Sequence, residues 1–283
     1  AIFGVSVSQI NLLLDTILAS FLPCCSVSWL YYSDRLTELP LGVFGVGIAT
    51  VSLPALSRQY AGESNLYQPT LAWALRCVMV VALPATVALS VLAKPILLTL
   101  FQYGELTLQD VNMIRISLIA YAWGLGAFML IKVLASAYFA RQDTKTPVKI
   151  GIYAMAANMG LNLLFVLPLH YFWQIGHAGL ALATGVSAFL NAGLLYRGLV
   201  QRGVFALPSW WSKYLARLAG ASVIMGFVLA SMLMYLPSFE PMAWYSRLSY
   251  TLLLCVAGLV TYVVMLLVLG VRPRAFLPPR EAR

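Results

Sequence analysis

The chain contains eight apolar segments, each long enough to cross a lipid bilayer as a helix. A spanning helix needs about 20 predominantly apolar residues, and 61% of this sequence is apolar. Only 10% of the residues are charged, whereas soluble chains carry about 25%. We therefore predict an all-α polytopic membrane protein with about eight transmembrane helices.

Short polar or basic segments separate the predicted spans. The spans are about residues 2–22, 29–56, 71–93, 111–139, 148–167, 178–199, 214–236 and 248–269. Residues 58–68 and 168–177 are predicted as loops, and residues 94–110 as an amphipathic segment. Pro40 predicts a kink in the second span, because proline cannot donate a hydrogen bond to the carbonyl of Leu36. Residue 1 is Ala rather than Met and the first span begins directly after it, so we expect the chain to be part of something longer.

The distribution of the basic residues predicts the orientation in the membrane. Lys and Arg are enriched in cytoplasmic loops, and placing both chain ends in the cytoplasm leaves only Lys94 and Arg247 on the outer side. The cytoplasmic residues are then Arg58, Arg76, Arg141, Lys145, Lys149, Arg197, Arg202, Lys213, Arg217, Arg272, Arg274, Arg280 and Arg283. This asymmetry accounts for the net charge of +9 without a nucleic-acid partner, and it allows contact with anionic membrane lipids.

A cluster of charges lies early in the second predicted span. One helical face comprises Tyr31, Asp34, Arg35, Glu38, Gly42 and Gly45. A bare charge in hydrocarbon costs roughly 3 kcal/mol on insertion scales, so such charges usually face a bundle interior or a wet cavity. Two interpretations remain open. In the first, Arg35 is neutralised by Glu38 and its side chain reaches the membrane surface. In the second, Arg35 is a cationic ligand for an anionic substrate.

Other residue types give weaker indications of a site. Lys132 is a second deep charge, which either lines a cavity or extends toward the inner surface. His170 and His177 are seven residues apart in a predicted outer loop, where metal binding is a minor alternative. The four cysteines show no disulfide or zinc spacing. Catalytic triads, paired catalytic carboxylates and phosphate-binding glycine loops are not evident in the sequence, so we expect a protein that is not an enzyme.

Three segments of the chain resemble those of the lipid II flippases, the MurJ/MviN family. They are residues 33–43 (SDRLTELPLGV), 101–104 (FQYG) and 140–149 (ARQDTKTPVK). The resemblance runs the whole length of the chain and covers the last eight of the fourteen helices of such a flippase. It implies that residues 1–203 form the second six-helix lobe. Residues 204–283 would form two additional transmembrane helices with a basic cytoplasmic tail.

The resemblance also implies a function. The chain would be the C-terminal part of a protein that flips lipid II, the undecaprenyl-pyrophosphate-linked peptidoglycan precursor, across the bacterial inner membrane by alternating access. Arg35 would be the cavity arginine of the second lobe, with Asp34 and Glu38 as neighbouring substrate-site residues. The N-terminal six-helix lobe would be a necessary partner, and no cofactor is implied apart from a sodium ion.

The sodium ion is an expectation for a small set of polar residues. They are Asp15, Asn158, Asn162 and Thr184, which offer the hard oxygen ligands that such cations prefer. Some flippases of this family bind sodium between the corresponding helices, with a second carboxylate near the position of Asn162. The alternative is simple hydrogen bonding between helices, worth about 0.6 kcal/mol per bond.

Other functions remain alternatives to lipid II transport. The chain could belong to another polysaccharide-lipid flippase, or to a cation-coupled antiporter of the same superfamily that relies on acidic cavity residues. A membrane scaffold would use the charges only to pair with partner helices. An intramembrane glycosyltransferase would need a catalytic carboxylate near the outer face, for which Asp34 and Glu38 are available.

Overall fold

The computed structural model describes residues 2–23, 25–62, 66–206, 208–271 and 279, without the side chains of residues 2–8. Within these ranges every regular element is a helix. The α-helices are α1 (Ile2–Ser20), α2 (Ser26–Pro40), α3 (Gly47–Ala61), α4 (Tyr67–Val91), α5 (Ala93–Leu100), α6 (Leu108–Ala140), α7 (Lys145–Trp173), α8 (Gly176–Gln201), α9 (Trp211–Tyr235) and α10 (Trp244–Val268). A π-helical turn, Leu41–Val46, joins α2 to α3.

The predicted fold class is confirmed. Seven helices among the described residues are long and apolar enough to cross a membrane, with Ser26–Ala61 counted as one continuous helix of 36 residues. The first predicted span coincides with α1, which has 19 residues and includes the residues whose side chains are not described. The amphipathic segment contains α5, which is too short to span a bilayer at 8 residues.

Helix α6 is the centre of the bundle. It packs against α8, α4, α2 and α3, and α8 lies in turn against α7. Helix α1 packs mainly on α7, whereas α9 packs on α4 and α10 on α9 and α5. The last two spans therefore lie on the α4–α5 side of α6, and α1 and α7 lie on the α8 side.

Two contacts fix the rotation of α2 against α6. The indole Nε1 of Trp29 donates to the carboxylate of Asp110 at 2.9 Å, and the Ser33 hydroxyl donates to the carbonyl of Ile114 at 3.0 Å. Asp110 also forms a capping box with Thr107 at the start of α6. The carboxylate that accepts from Trp29 is therefore itself held in position. The opposite face of α2, which carries Arg35, consequently points away from the packed bundle.

Two predicted loops were wrong in extent. The helix predicted to end near residue 56 continues to Ala61, and α4 begins at Tyr67. The loop predicted after residue 167 is also helical, because α7 runs through Pro168 to Trp173. At 29 residues α7 is about 43 Å long, so its ends extend beyond a hydrocarbon core of about 30 Å. The polar composition that suggested loops reflects these protruding helix ends.

The helix continues through Pro40 into the π-helical turn. Proline cannot donate to the carbonyl four residues earlier, and a widened turn is one way in which a membrane helix accommodates the freed group. Gly45 lies within this turn, where an added Cβ would be 3.2 Å from Cγ of Met129 on α6. The close approach of this span to α6 therefore occurs at Gly45, whereas Gly42 and Gly47 face open space.

Candidate functional site

The Arg35 group lies on the exposed face of α2. The Nη1 atom of Arg35 donates to Oε2 of Glu38 at 2.5 Å, and the guanidinium lies 4.9 Å from the ring centroid of Tyr31. The side chains of Arg35 and Glu38 are 51% and 49% exposed. Asp34 is half-buried beside them. The sequence prediction that these residues share a helical face is therefore met for this part of the helix.

The ion pair with Glu38 leaves other N–H donors of the Arg35 guanidinium available. An exposed ion pair contributes little to stability, and a guanidinium has five N–H donors, of which Glu38 takes one. The contact of the guanidinium with the Tyr31 ring further restricts its position. Arg35 thus combines a fixed position, a permanent charge and free donors, which suits a phosphate or carboxylate ligand.

The structure brings together all four residues predicted to bind a cation. Asn162 of α7 donates from Nδ2 to Asp15 of α1 at 2.8 Å, and the same atom lies 3.0 Å from the side-chain amide of Asn158. Thr184 of α8 donates to the second carboxylate oxygen of Asp15 at 3.2 Å. We call Asp15, Asn158, Asn162 and Thr184 the Asp15 cluster. It links three helices around a single carboxylate.

Two further residues belong beside the Asp15 cluster. Asn11 donates to Asp15 at 3.3 Å, one helical turn earlier on α1. Ser187 lies 3.4 Å from Nδ2 of Asn158, three residues after Thr184 on α8. Asn11 lies four residues before Asp15, a spacing that places both on one helical face and is visible in the sequence. Ser187 gave no clear signal, because serine is common in membrane helices that contain no site.

The Asp15 cluster has oxygen atoms suited to a hard cation. Asn158 and Asn162 are 1% and 0% exposed. The Oδ1 atom of Asn162 is buried without a hydrogen-bond partner among the described residues. The surrounding groups favour an inverted Asn158 amide, in which Nδ2 donates to Asp15 at 3.2 Å and Oδ1 accepts from the backbone N–H of Thr184 at 3.2 Å. A buried acceptor without a donor is costly, and a bound cation would satisfy it.

An open cavity of about 880 Å³ lies next to the Asp15 cluster. It is bordered by α1, α6, α7, α8 and the start of the π-helical turn. Its lining residues include the polar side chains Gln9, Asn11, Lys132, Thr144, Thr184, Ser187 and Asn191. Lys132, predicted as a deep charge, therefore lies on the same cavity as Thr184 of the Asp15 cluster. Arg35 does not line it.

The histidines are not placed in a loop as predicted. His170 lies in the last turn of α7, and His177 lies in the first turn of α8. The Nε2 atom of His177 is 3.2 Å from the carbonyl of Met113, and its ring is 4.9 Å from that of Trp29. Among the described residues no group of three His, Cys, Asp or Glu side chains could hold a metal ion. Cys77 and Cys255 are free thiols, and Cys24 lies outside the described residues.

The fold defines a multi-pass α-helical membrane protein. The family model described as "Lipid II flippase MurJ" matches residues 1–266. The "Probable lipid II flippase MurJ" of Vibrio cholerae is 50% identical over 275 residues, which are 96% of this chain and 51% of that protein. The protein of the same name from Haemophilus influenzae is 46% identical over 282 residues, covering 96% and 53%.

A solved structure supports the same relationship. "Lipid II flippase MurJ, inward closed conformation" matches with a TM-score of 0.77 and 27% identity, over 93% of this chain and 51% of that one. The chain belongs to the MurJ family of lipid II flippases. It spans about half the length of the relatives that it matches.

Proposed function

We propose that this chain is the C-terminal part of a lipid II flippase, acting as the second lobe of an alternating-access transporter in the bacterial inner membrane. The observation that carries the proposal is the exposed Arg35 on the face of α2 turned away from the bundle. A charge left toward hydrocarbon would be costly. A facing lobe, as in transporters built from two repeats, would enclose it in a polar cavity.

Arg35 contacts the pyrophosphate of the lipid-linked precursor in this proposal. Its planar fork of donors matches two phosphate oxygens at once, which a lysine cannot do. Glu38 and Tyr31 hold the guanidinium in place through their contacts. Asp34 and Glu38 also line the substrate site, where they orient Arg35 and the precursor.

The test of this site is transport of lipid II by reconstituted two-lobe protein. Arg35→Ala is expected to abolish transport while membrane insertion is retained, and Arg35→Lys to retain only part of it. Arg115→Ala is the matched control, because Arg115 is also an exposed arginine within a span but lies on α6. Normal transport by Arg35→Ala would contradict the proposed site.

The first lobe is the expected partner of this chain. Rocking of one repeat against another around a shared site needs both repeats, and the chain contains one. We expect this chain to fold as a helical bundle and not to flip lipid II alone. Liposomes containing the chain with and without a co-expressed six-helix first lobe would decide this. Transport without the first lobe would overturn the two-lobe proposal.

The proposed orientation places both ends of the chain in the cytoplasm. In the structure α6 ends and α7 begins at one end of the bundle, whereas the turn from α7 to α8 is at the other. Cysteines introduced at Lys145 and Trp173 in a cysteine-free background should therefore label from opposite sides. Lys145→Cys should react only from the cytoplasmic side. Reaction of Trp173→Cys from that side would reverse the orientation.

The Asp15 cluster is proposed as a sodium site coupled to this transport. Two carboxylate oxygens, the Thr184 hydroxyl and the unpartnered Oδ1 of Asn162 support it, since they are oxygen ligands within one small volume. Sodium should raise the thermal stability of the protein, and Asp15→Asn should remove that effect. Stabilisation that persists in Asp15→Asn would leave the cluster as hydrogen bonding between helices.

A cation-coupled antiporter of the same superfamily is the second candidate, favoured by the Asp15 cluster alone. The two functions differ in what Arg35 does. A lipid flippase should bind a pyrophosphate-linked polyprenyl lipid in a way that Arg35→Ala weakens. An antiporter should bind its cationic substrate whether or not Arg35 is present. Lipid-binding measurements on the two-lobe protein distinguish them, and a scaffold would bind neither ligand.

A further inference from the structure

The cavity of about 880 Å³ extends away from the Asp15 cluster along α8. Thr184, Ser187 and Asn191 all line it, and spacings of three and four residues place them on one face of the helix. Seven residues of helix correspond to about 10 Å. A polar path therefore leaves the cluster at Thr184 and passes Asn191 toward the end of the bundle where Thr144 lies.

Asn191 behaves as part of a wet path rather than of a packed core. Its Oδ1 atom is shielded and has no hydrogen-bond partner among the described residues. A carbonyl-type oxygen in this position is satisfied by water or by a passing cation. Gln9 and Asn11 of α1 add polar groups on the other side of the cavity.

Lys132 is the one charged residue among the described residues that line this cavity. Its side chain is exposed, and it takes part in none of the ion pairs found in the described part of the chain. Lysines within spans usually pair with a carboxylate or mark an ion path. An ammonium beside this cavity acts electrostatically on any cation that reaches the Asp15 carboxylate through it.

We propose that this cavity is the path between the Asp15 cluster and the inner face, and that Lys132 lowers the affinity of the cluster for its cation. This rests on the proposed sodium site. The positive charge raises the electrostatic potential along the path. The cluster then binds sodium weakly enough to release it. Lys132 acts on the cation through its positive charge and does not coordinate it.

A charge series at residue 132 tests the inference. Sodium would be titrated into the two-lobe protein in lipid nanodiscs at constant ionic strength, with thermal stabilisation as the readout. Unit charges on the order of 10 Å apart at an effective dielectric constant of about 20 change a binding constant roughly tenfold. Lys132→Gln should therefore bind sodium about tenfold more tightly, and Lys132→Glu more tightly still. Lys132→Arg should match the unchanged protein.

Controls separate the charge effect from a structural one. Arg115→Gln removes a positive charge from the same helix but away from the cavity, and it should leave sodium affinity unchanged. Lys132→Arg binding as tightly as Lys132→Gln would show that a contact was lost rather than a charge, which contradicts the inference. An affinity that does not change across the charge series would also contradict it.

The result for Asp15→Asn distinguishes a failure of the proposed sodium site from a failure of the role proposed for Lys132. If Asp15→Asn abolishes sodium binding while the Lys132 series shows no change, the sodium site stands and the role of Lys132 fails. If sodium stabilises neither the unchanged protein nor any Lys132 variant, the sodium site itself fails and the path with it. If Lys132→Gln creates measurable binding that Asp15→Asn removes, both are supported.

Discussion

Gly124 of α6 and Gly185 of α8 meet with no side chain between them. A Cβ atom added to Gly124 would lie 2.7 Å from the Cα of Gly185, closer than non-bonded carbon atoms approach. Helix association in a membrane depends on close packing rather than on a hydrophobic driving force. This contact therefore sets the distance between the central helix and the helix that carries Thr184.

Gly124→Ala is expected to destabilise the bundle by about 1–3 kcal/mol, because the added methyl group meets backbone and cannot be relieved by a side-chain rotation. Thermal unfolding in detergent would measure the loss. Gly193→Ala is the matched control on α8. No heavy atom lies within 4 Å of an added Cβ there, so it should be neutral or slightly stabilising. Equal effects at both positions would contradict the packing argument.

Arg247 is expected to be a structural residue of α10. It is 9% exposed and donates to the carbonyls of Leu98 at 3.1 Å and Glu240 at 2.7 Å. Leu98 is in the last turn of α5, where carbonyls lack helical partners. Arg247→Met leaves these acceptors unsatisfied, so the free energy of unfolding should fall by about 1–3 kcal/mol.

A lysine at the same end of the bundle provides the control for Arg247. Lys94 pairs with the Glu240 side chain at 2.7 Å, and these side chains are 40% and 41% exposed. Exposed pairs contribute about 0–1 kcal/mol, so Lys94→Met should have a small effect in the same assay. A larger loss for Lys94→Met than for Arg247→Met would reverse this assignment.

Asp143 should make the stability of the turn between α6 and α7 depend on acid pH. Partial burial raises its pKa, but hydrogen bonds from Arg202 and Thr146 outweigh burial and lower the pKa to about 2. The carboxylate accepts from Nη1 of Arg202 at 2.5 Å. Because the folded pKa lies below the ordinary value of 3.8, the stabilisation is present above about pH 4. It is lost as the pH falls toward 2.

Unfolding of the wild type and Asp143→Asn would be compared from pH 7 to pH 2. The variant should be less stable at neutral pH, and the difference should shrink as the pH falls below 4. Glu240→Gln serves as the comparison, because it removes a carboxylate from an exposed pair. A difference between wild type and Asp143→Asn that stays constant down to pH 2 would exclude the linkage.

The spans were predictable from the sequence because apolar length is a local property. Polar composition did not distinguish loops from helix ends. Pro168 and His170 lie in the end of α7 that extends into water, where loops and helices have similar compositions. The face of α2 was predictable for Asp34, Arg35 and Glu38 because one turn of helix relates them directly. The exposure of Arg35 and Glu38 followed only from the packing of the opposite face of α2 on α6.

The Asp15 cluster could not be predicted from any one helix alone. Its four members were proposed as one set, but periodicity within each helix does not reveal that α1, α7 and α8 converge. The family resemblance supplied that arrangement, and the structure confirms that the side chains meet. Ser187 and the path along Asn191 follow from the packing of three helices around a cavity, which no single segment encodes.

The π-helical turn after Pro40 has one more consequence. Widening a turn inserts extra chain into the helix, and one residue corresponds to about 100° of rotation. The predicted stripe from Tyr31 to Gly45 assumed a single helical wheel, yet Tyr31 and Arg35 are exposed while Gly45 is buried against Met129. The two halves of this span are therefore out of phase. Substitution data collected along it have to be mapped on two separate wheels, one ending at Pro40 and one beginning at Gly47.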